Sequence, residues 1–168
     1  MGYEKFGFRA AKDYWFDNNF RRRFFKNLIN LIPISRKPNP ESLDLDDTMT
    51  LSKAFMDLGN NIIIFPEGSR GEVGKIQRFR KGAVKFSMGL DVPILPAAIM
   101  GAEKAWPKGE KFIKPFPITV KVLPKIDPPK TKELSKTAYN KALSKITKEL
   151  EIKISEAVKE LEETKSPD

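Results

Sequence analysis

The sequence has 168 residues, of which 40% are hydrophobic and 32% are charged, and its formal net charge is +9. This composition is typical of one globular domain and excludes an intrinsically disordered chain. There is no cysteine and no histidine. Disulfides, thiolate chemistry, cysteine-ligated metals and a histidine base within this sequence are therefore excluded.

The net charge favours an anionic partner such as a phosphorylated substrate, an anionic lipid or nucleic acid. A soluble protein with a lysine-rich surface is the alternative. Nucleic acid is not predicted, because the basic residues are scattered and no recognition motif accompanies them. No apolar run is long enough to cross a bilayer and no signal-peptide pattern is present, so a cytoplasmic location is predicted.

The N-terminal half of the chain predicts strands and helices in alternation. Apolar runs rich in β-branched residues indicate strands, and apolar residues at helical spacing indicate helices. The predicted elements are a strand at 3–13, a basic amphipathic helix at 14–32, a short strand at 32–36, a helix from about Leu43 to Leu58 capped by Gly59, and a buried strand at 61–66.

The C-terminal half predicts a short helix at 80–90, strands at 92–101 and 118–123, and a long helix from about Ser135 to Glu163. Pro93 and Pro96 restrict the strand at 92–101 to an edge or an irregular course, because proline cannot donate to a ladder. The apolar line along the last helix predicts packing on the core. It is too short to favour a coiled coil.

This alternation predicts an α/β protein, a single domain with a mixed, mostly parallel sheet flanked by helices and with a long C-terminal helix. Residues 1–130 are predicted to form the core. Residues 131–168 are predicted to form the C-terminal helix, which packs on that core, and a loose tail. Ligands of such sheets gather beyond the carboxyl ends of the strands.

The sequence "IIIFPEGSRG" at residues 62–71 places a polar loop at the end of a predicted strand. Pro66 ends the ladder, Gly68 permits a tight turn or a close ligand, and Arg70 offers a planar cationic fork suited to phosphate. Glu67 could orient that fork, and Lys81 lies in the basic stretch "QRFRKG" that follows. The loop is predicted to bind phosphate; an ordinary surface turn with a weak Glu67–Arg70 ion pair is the alternative.

Other classes of site fit this loop less well. A serine-hydrolase elbow requires glycine two residues before the serine, and here that residue is Glu67. The P-loop and dinucleotide fingerprints are absent. No metal site and no cofactor are predicted.

Several blocks of the sequence together resemble the glycerolipid acyltransferases, the lysophosphatidic-acid acyltransferase-like family. The blocks are "FPEGSRG" at 65–71, "LIPISR" at 31–36, "AAKDYWF" at 10–16 and the stretch from "FRKG" through "VPILP" to "WPKG" at 79–109. They occur in the family's order and cover residues from about 8 to 123. Any one block alone would be a weak signal, whereas four in order are specific.

The resemblance implies transfer of a fatty acyl group from acyl-CoA or acyl-carrier protein to a hydroxyl of a glycerol-phosphate or lysophospholipid acceptor, in phospholipid biosynthesis. It further implies that Glu67, Gly68, Ser69 and Arg70 bind the acceptor phosphate, together with Arg36 and Lys12; Lys81 is a further candidate. Peripheral contact with the cytoplasmic face of a membrane is expected from the same family.

The family's catalytic histidine, in a His-x-x-x-x-Asp block, has no counterpart here. Asp13 and Asp17 do not replace it, because a carboxylate is too weak a base for this step. The chain therefore resembles a member that lacks its N-terminal part, and no catalytic residue is assigned. A truncated reading frame, a split enzyme and a non-catalytic module that binds anionic lipid or phosphate all remain open; the first is favoured because the other blocks are intact.

Overall fold

The computed structural model describes residues 6–11, 30–34, 45–69, 74–107, 110 and 112–165. The helices and strands, in chain order, are β1 (Phe6–Ala11), β2 (Asn30–Ile34), α1 (Leu45–Asp57), β3 (Asn61–Ile63), α2 (Gly82–Leu90), β4 (Ala97–Met100), α3 (Ala102–Ala105), β5 (Thr119–Val122) and α4 (Lys136–Lys165), with a 3₁₀ turn at Thr131–Glu133 before α4.

The chain divides into two compact units, 1–65 and 66–168. The first unit contains a parallel three-stranded sheet with the order β2-β1-β3. Gly7 pairs with Asn30 on one side of β1 and with Ile62 on the other. Both neighbours of β1 run parallel to it.

Helix α1 ends where the sequence predicts. Gly59 adopts a left-handed conformation with φ of +78°, and its N–H donates to the Met56 carbonyl at 2.8 Å. Glycine at this position satisfies a terminal carbonyl without the steric cost of a Cβ. The helix buries Thr48 and Ser52, and the Ser52 hydroxyl donates to the Thr48 carbonyl at 2.7 Å. The serine is therefore compatible with burial because its hydroxyl is satisfied within the helix.

The core of the second unit lies between α2 and α4. Its buried members are Phe79, Val84, Met88, Ile126, Leu143, Ile146 and Leu150. Val84 and Met88 are four residues apart on α2, and the α4 members recur at intervals of three and four, so each helix presents one apolar face to the other.

An antiparallel pair, β4 and β5, forms the only other sheet among the described residues. Ala98 pairs with Lys121, and the ladder continues as an isolated bridge between Ile94 and Ile126. Pro96 interrupts the ladder between the bridge and β4, and its carbonyl accepts from the Leu123 N–H at 2.9 Å. The irregular strand predicted from Pro93 and Pro96 is confirmed.

Helices and strands alternate along the described chain, as the α/β prediction requires. The single mixed sheet and the single domain stay predictions.

The strand at 61–66 was predicted to be buried, but Asn61 and Phe65 are exposed and the residues between them are half-buried. Helix α4 reaches Lys165, so the predicted loose tail begins later than expected. Most of the basic helix predicted at 14–32 falls outside the described residues. Residues 30–32, predicted as its end, lie in β2 instead, so that part of the prediction is wrong and the strand begins two residues earlier than expected.

No helix among the described residues is long and apolar enough to span a membrane.

Candidate functional site

The predicted phosphate loop is closed by a backbone hydrogen bond. It follows β3, begins at Pro66 and ends at Arg80, and we call it the Pro66–Arg80 loop; its described parts are 66–69 and 74–80. The Arg80 N–H donates to the Pro66 carbonyl at 2.8 Å. Because Pro66 has no N–H of its own, its carbonyl is the only backbone group with which it can hold the two ends of the loop together.

Two side chains at the start of the loop bind Gln77. The Glu67 Oε2 accepts the Gln77 backbone N–H at 2.9 Å, and the Ser69 hydroxyl donates to the Gln77 Oε1 at 3.3 Å. The Glu67 carboxylate thus fixes the second half of the loop, at Gln77, to the first half. A hydrogen bond from a backbone N–H to a carboxylate is stronger than one to a neutral acceptor.

Gly68 lies against the side chain of Arg80. Its φ is +74°, in the left-handed region, and a Cβ at this position would lie 3.0 Å from both the Cδ and the Nε of Arg80. The guanidinium stem therefore occupies the space that any other residue's side chain would need. This brings a permanently charged, fork-shaped donor beside the backbone of the Glu-Gly-Ser sequence, an arrangement suited to an anion with several oxygens.

The end of the loop is tied to α4 by two long-range contacts. The Phe79 N–H donates to the Glu151 Oε2 at 2.8 Å, and the Lys81 Nζ donates to the Ser144 Oγ at 2.9 Å. Phe79 is itself buried in the core. A buried N–H without a partner is costly, so the Glu151 carboxylate both satisfies this donor and positions Arg80 one residue later.

The hydrogen bond from Phe79 lowers the pKa of Glu151 below its usual value of 4.5. The hydrogen bond from Lys148 and the nearby charges of Lys148 and Arg78 act in the same direction, and burial opposes them. Each of the lowering contacts favours the carboxylate over the carboxylic acid. The Glu151 carboxyl group is therefore ionised at neutral pH.

Helix α2 starts directly after the loop without a side-chain cap. Its N-cap residue is Lys81, which makes no capping hydrogen bond. The N–H groups of the first turn therefore lack a side-chain acceptor from the cap, and they follow immediately on two cationic side chains, Arg80 and Lys81. These groups add to the positive potential at the end of the loop.

The structure brings together Glu67, Gly68 and Ser69 at one end of the loop and Arg80 at the other. Lys81 lies next to Arg80, but its Nζ is engaged by Ser144. The predicted phosphate ligands Arg70, Arg36 and Lys12 lie outside the residues whose side chains the structure describes. Phosphate binding by all seven residues stays a prediction.

Sequence reasoning gave no role to Gln77, Ser144 or Glu151. The Gln77 backbone N–H donates to Glu67, and its side-chain oxygen accepts from Ser69. The Glu151 carboxylate accepts the N–H of Phe79, which lies 72 residues earlier in the sequence. No local pattern marks these residues, because their partners are reached only after the loop and α4 have folded together. Among the described residues, no group of three or more carboxylate side chains is arranged to hold a metal ion.

Comparison with known proteins places this loop in a family. A family model described as Acyltransferase matches residues 6–100, more than half of the chain. The chain belongs to this acyltransferase family. The matched region includes the whole Pro66–Arg80 loop and helix α2, so the family pattern and the geometry described above concern the same residues.

The relatives identify the glycerolipid branch of the family. The 1-acyl-sn-glycerol-3-phosphate acyltransferase of Limnanthes douglasii is 42% identical over 67 residues, which are 40% of this chain and 24% of the relative. The enzyme of the same name from Cocos nucifera is 33% identical over 85 residues, 51% of this chain and 27% of the relative. The match spans about a quarter of the length of these relatives.

A solved structure shares the fold. The crystal structure of the 1-acyl-sn-glycerophosphate (LPA) acyltransferase PlsC from Thermotoga maritima aligns with 89% of this chain and 56% of its own, with a TM-score of 0.57. The sequence identity is 21%, so this likeness concerns the fold alone. The glycerolipid acyltransferase resemblance predicted from the sequence blocks is confirmed by these comparisons.

The contact between Gly68 and Arg80 can be tested with two alanine variants. Gly68→Ala and Gly74→Ala both place a Cβ on a left-handed residue, with φ of +74° and +75°, and each should lose about 1–2 kcal/mol of stability in urea unfolding. Only Gly68→Ala must displace the Arg80 side chain, because no atom of the described residues lies within 4 Å of a Cβ at Gly74. The Arg80 Nε–H resonance in an ¹⁵N-correlated NMR spectrum should therefore shift in Gly68→Ala alone. An equal shift in Gly74→Ala would contradict this contact.

The role of Glu151 predicts a specific dependence of stability on pH. Because the folded-state pKa is depressed, the stabilisation is present above the unfolded value of 4.5 and is lost as the pH falls through the folded value. Glu151→Ala removes the charged acceptor of the partly buried Phe79 N–H and should cost about 1–3 kcal/mol at pH 7. Glu151→Gln keeps an acceptor and should cost less.

Both Glu151 variants should show a smaller loss of stability than the wild type on acidification below pH 4.5, measured by urea unfolding across the pH range. Glu149→Gln is the matched control, since Glu149 forms only an exposed ion pair with Lys153 and should keep the wild-type profile. A wild-type profile in Glu151→Gln would show that this carboxylate does not control the acid transition.

Proposed function

We propose that this chain is the acceptor-binding region of an enzyme that transfers a fatty acyl group from an acyl thioester, acyl-CoA or acyl-carrier protein, to the free hydroxyl of a glycerol-phosphate-type lysophospholipid. The observation that carries the proposal is the closed Pro66–Arg80 loop, in which the backbone of Gly68 lies against the Arg80 side chain. The relatives' names, 1-acyl-sn-glycerol-3-phosphate acyltransferase, supply the chemistry of the acceptor.

In the proposed complex, the phosphate of the acceptor binds at the loop. Arg70 contributes a bidentate fork and Gly68 a close backbone approach, while Arg36 and Lys12 add cations. The Ser69 hydroxyl rotates from its exposed 3.3 Å contact with Gln77 to donate to the phosphate. Arg80 and Lys81 raise the local positive potential from the far end of the loop. The resemblance places Glu67 among the residues that bind phosphate, but a carboxylate has no proton to donate to it. Because Glu67 accepts the Gln77 N–H and keeps the loop closed, we propose that it positions the residues that bind the phosphate.

The transfer itself requires a base. The acceptor hydroxyl oxygen attacks the thioester carbonyl carbon, its proton passes to the base, and the C–S bond breaks when the tetrahedral intermediate collapses. The thiolate that leaves is then protonated. A hydroxyl is a poor nucleophile without such a base, and these 168 residues contain no histidine. The proposal is that the base comes from outside this sequence and that the chain alone holds the acceptor without acylating it.

The second candidate function is a module that binds anionic lipid or phosphate and has no catalytic role. The absence of histidine favours it, since a binding function needs the loop and no base. The two candidate functions differ in whether the chain binds the acyl donor. A catalytic region must bind an acyl thioester as well as the acceptor, whereas a non-catalytic module needs to bind only the anion.

Arg70 is the residue on which acceptor binding depends most. Arg70→Ala should weaken the binding of glycerol 3-phosphate about 10- to 100-fold, the worth of a hydrogen bond to a charged group, and Arg70→Lys should recover only part of it because the ammonium group cannot form the fork. Isothermal titration calorimetry provides the measurement. Lys130→Ala, at an exposed lysine outside the loop, is the control and should bind as the wild type does. Binding by Arg70→Ala within twofold of the wild type would refute the phosphate site.

The need for an external base can be measured separately. The chain, mixed with acyl-CoA and 1-acyl-sn-glycerol-3-phosphate, should release free thiol no faster than the uncatalysed background in a colorimetric thiol assay. It should nevertheless bind a non-hydrolysable acyl-CoA analogue in the presence of glycerol 3-phosphate. Thiol release that requires both substrates would overturn the proposal on the base, and failure to bind any acyl thioester would favour the non-catalytic module.

A further inference from the structure

The backbone immediately before the Arg80 side chain is fixed by hydrogen bonds that run in two directions. The Phe79 N–H donates to the Glu151 Oε2 of α4 at 2.8 Å. The next N–H along the chain, that of Arg80, donates to the Pro66 carbonyl at 2.8 Å, and the Phe79 side chain is buried in the core. The core, α4 and the start of the loop therefore all hold the chain at residues 79 and 80, and the Arg80 side chain begins from this fixed backbone.

The Glu151 carboxylate is itself oriented by two donors. Its Oε1 accepts from the Lys148 Nζ at 3.1 Å, while its Oε2 accepts the Phe79 N–H. The Glu151 side chain is 22% exposed, against 67% for that of Lys148, so the carboxylate has the more enclosed position of the pair. A donor on each oxygen restricts rotation of the carboxylate, and both hydrogen bonds are charge-assisted. The acceptor of the Phe79 N–H therefore has a defined position of its own.

One face of α4 contacts the end of the loop at two places. Ser144 and Glu151 are two helical turns apart and so share this face. The Ser144 Oγ accepts from the Lys81 Nζ at 2.9 Å, and Glu151 accepts from the Phe79 N–H, so α4 contacts the residues on both sides of Arg80. Helix α4 lies entirely beyond the region that the family model matches. These contacts are therefore supplied from outside the matched region.

We propose that Glu151 is a positioning residue for the acceptor phosphate, which holds the Arg80 guanidinium beside Gly68 by fixing the backbone of Phe79. Glu151 acts through Arg80 and does not itself contact the acceptor. A Cβ at Gly68 would lie 3.0 Å from the Arg80 Cδ and Nε, so the Gly68 backbone and the guanidinium are close enough to meet one phosphate group. This role rests on the proposed function and deepens it, because it gives a residue of α4 a part in acceptor binding.

The negative charge of Glu151 separates positioning from simple electrostatics. A carboxylate close to an anion-binding site repels the anion, and the hydrogen bond to Phe79 places Glu151 close to the end of the loop. If Glu151 acted only through its charge, any neutral replacement would strengthen phosphate binding. If it acts by position, a replacement that cannot accept the Phe79 N–H weakens phosphate binding, although it also removes the repulsion.

The test measures binding of glycerol 3-phosphate to the full chain by isothermal titration calorimetry. Glu151→Ala should weaken this binding about 5- to 10-fold, because residues coupled in one hydrogen-bond network contribute on this scale. Glu151→Gln should bind within about twofold of the wild type, or more tightly, because its amide oxygen still accepts the Phe79 N–H and the charge is gone. Both variants are neutral at this position, so a difference between them reports the hydrogen bond and not the charge.

A double-mutant cycle measures whether Glu151 acts through Arg80. In an Arg80→Ala background, the further change Glu151→Ala should weaken binding less than about twofold, because the side chain that Glu151 positions has already been removed. Independent roles would give the product of the two single losses. In the absence of ligand, the Arg80 Nε–H resonance in an ¹⁵N-correlated NMR spectrum should shift in Glu151→Ala and stay near its wild-type position in Glu151→Gln.

The matched control removes a charge elsewhere on the same helix. Glu149 forms an exposed ion pair with Lys153, and Glu149→Gln should bind glycerol 3-phosphate within about twofold of the wild type because such pairs contribute little. Glu151→Leu keeps an apolar stem without an acceptor and should show the same loss as Glu151→Ala, so it replaces that variant if alanine prevents folding. Urea unfolding verifies that each variant is folded at the temperature of the titration.

Three outcomes would overturn the role of Glu151 while leaving the proposed function intact, provided that the wild type binds glycerol 3-phosphate and Arg70→Ala binds it more weakly. The first is unchanged or tighter binding by both Glu151→Ala and Glu151→Leu. The second is an equal loss in Glu151→Gln, and the third is independent losses in the cycle with Arg80→Ala. Absence of binding by the wild type would refute the acceptor site itself and the role of Glu151 with it, so the two failures are distinguishable.

Discussion

The second unit of this protein depends on the packing of the long helix α4 against α2 and the residues before it. Leu143, Ile146 and Leu150 bury one face of α4 against Val84 and Met88 of α2 and against Phe79. Phe79 belongs both to this core and to the Pro66–Arg80 loop, so hydrophobic burial in the core fixes the position at which the loop ends. Each fully buried side chain of this size contributes roughly 1.5–3 kcal/mol, which is enough to hold a polar loop in a defined shape.

Because Phe79 is buried in the core, its backbone N–H needs a hydrogen-bond acceptor, and Glu151 provides one. The Phe79 N–H is partly buried, and the Glu151 carboxylate accepts it at 2.8 Å. The hydrogen bond keeps this carboxylate ionised and ties α4 to the loop. One apolar contact and one charge-assisted hydrogen bond therefore cooperate at the same residue, immediately before the Arg80 side chain that lies against Gly68. The loop's geometry is set by the core on one side and by Glu67 and Gln77 on the other.

Two polar side chains at the start of the loop contact its returning half, whereas the Arg80 side chain lies against its glycine backbone. Glu67 and Ser69 both contact Gln77, and the Glu67 carboxylate is used inside the loop. The guanidinium of Arg80, by contrast, extends from an exposed residue beside the glycine backbone. The Glu67 carboxylate is thus bound to the loop's own backbone at Gln77, while the cationic side chain of Arg80 lies at the other end of the loop.

The sequence by itself determined the secondary structure of most of the described chain and the membership of the family. Helical periodicity located α1, α2 and α4 within a few residues, Gly59 marked the end of α1, and Pro93 and Pro96 indicated the irregular strand. Blocks of adjacent residues such as "FPEGSRG" identified the glycerolipid acyltransferases, because a short motif keeps its residues together whatever the rest of the chain does. These features depend on neighbours in sequence, and local patterns report them well.

Tertiary structure alone decided which residues support the loop and which apolar surface remains uncovered. Glu151 meets Phe79 and Ser144 meets Lys81 across 72 and 63 residues of sequence, and no periodicity encodes such a pairing. The alternation of β5 predicted a strand with one apolar face, but not that the face bearing Val120 and Val122 would be exposed while Lys121 met α4. Both facts follow from the position of α4, which is set by burial of its apolar face and not by any local preference of the chain.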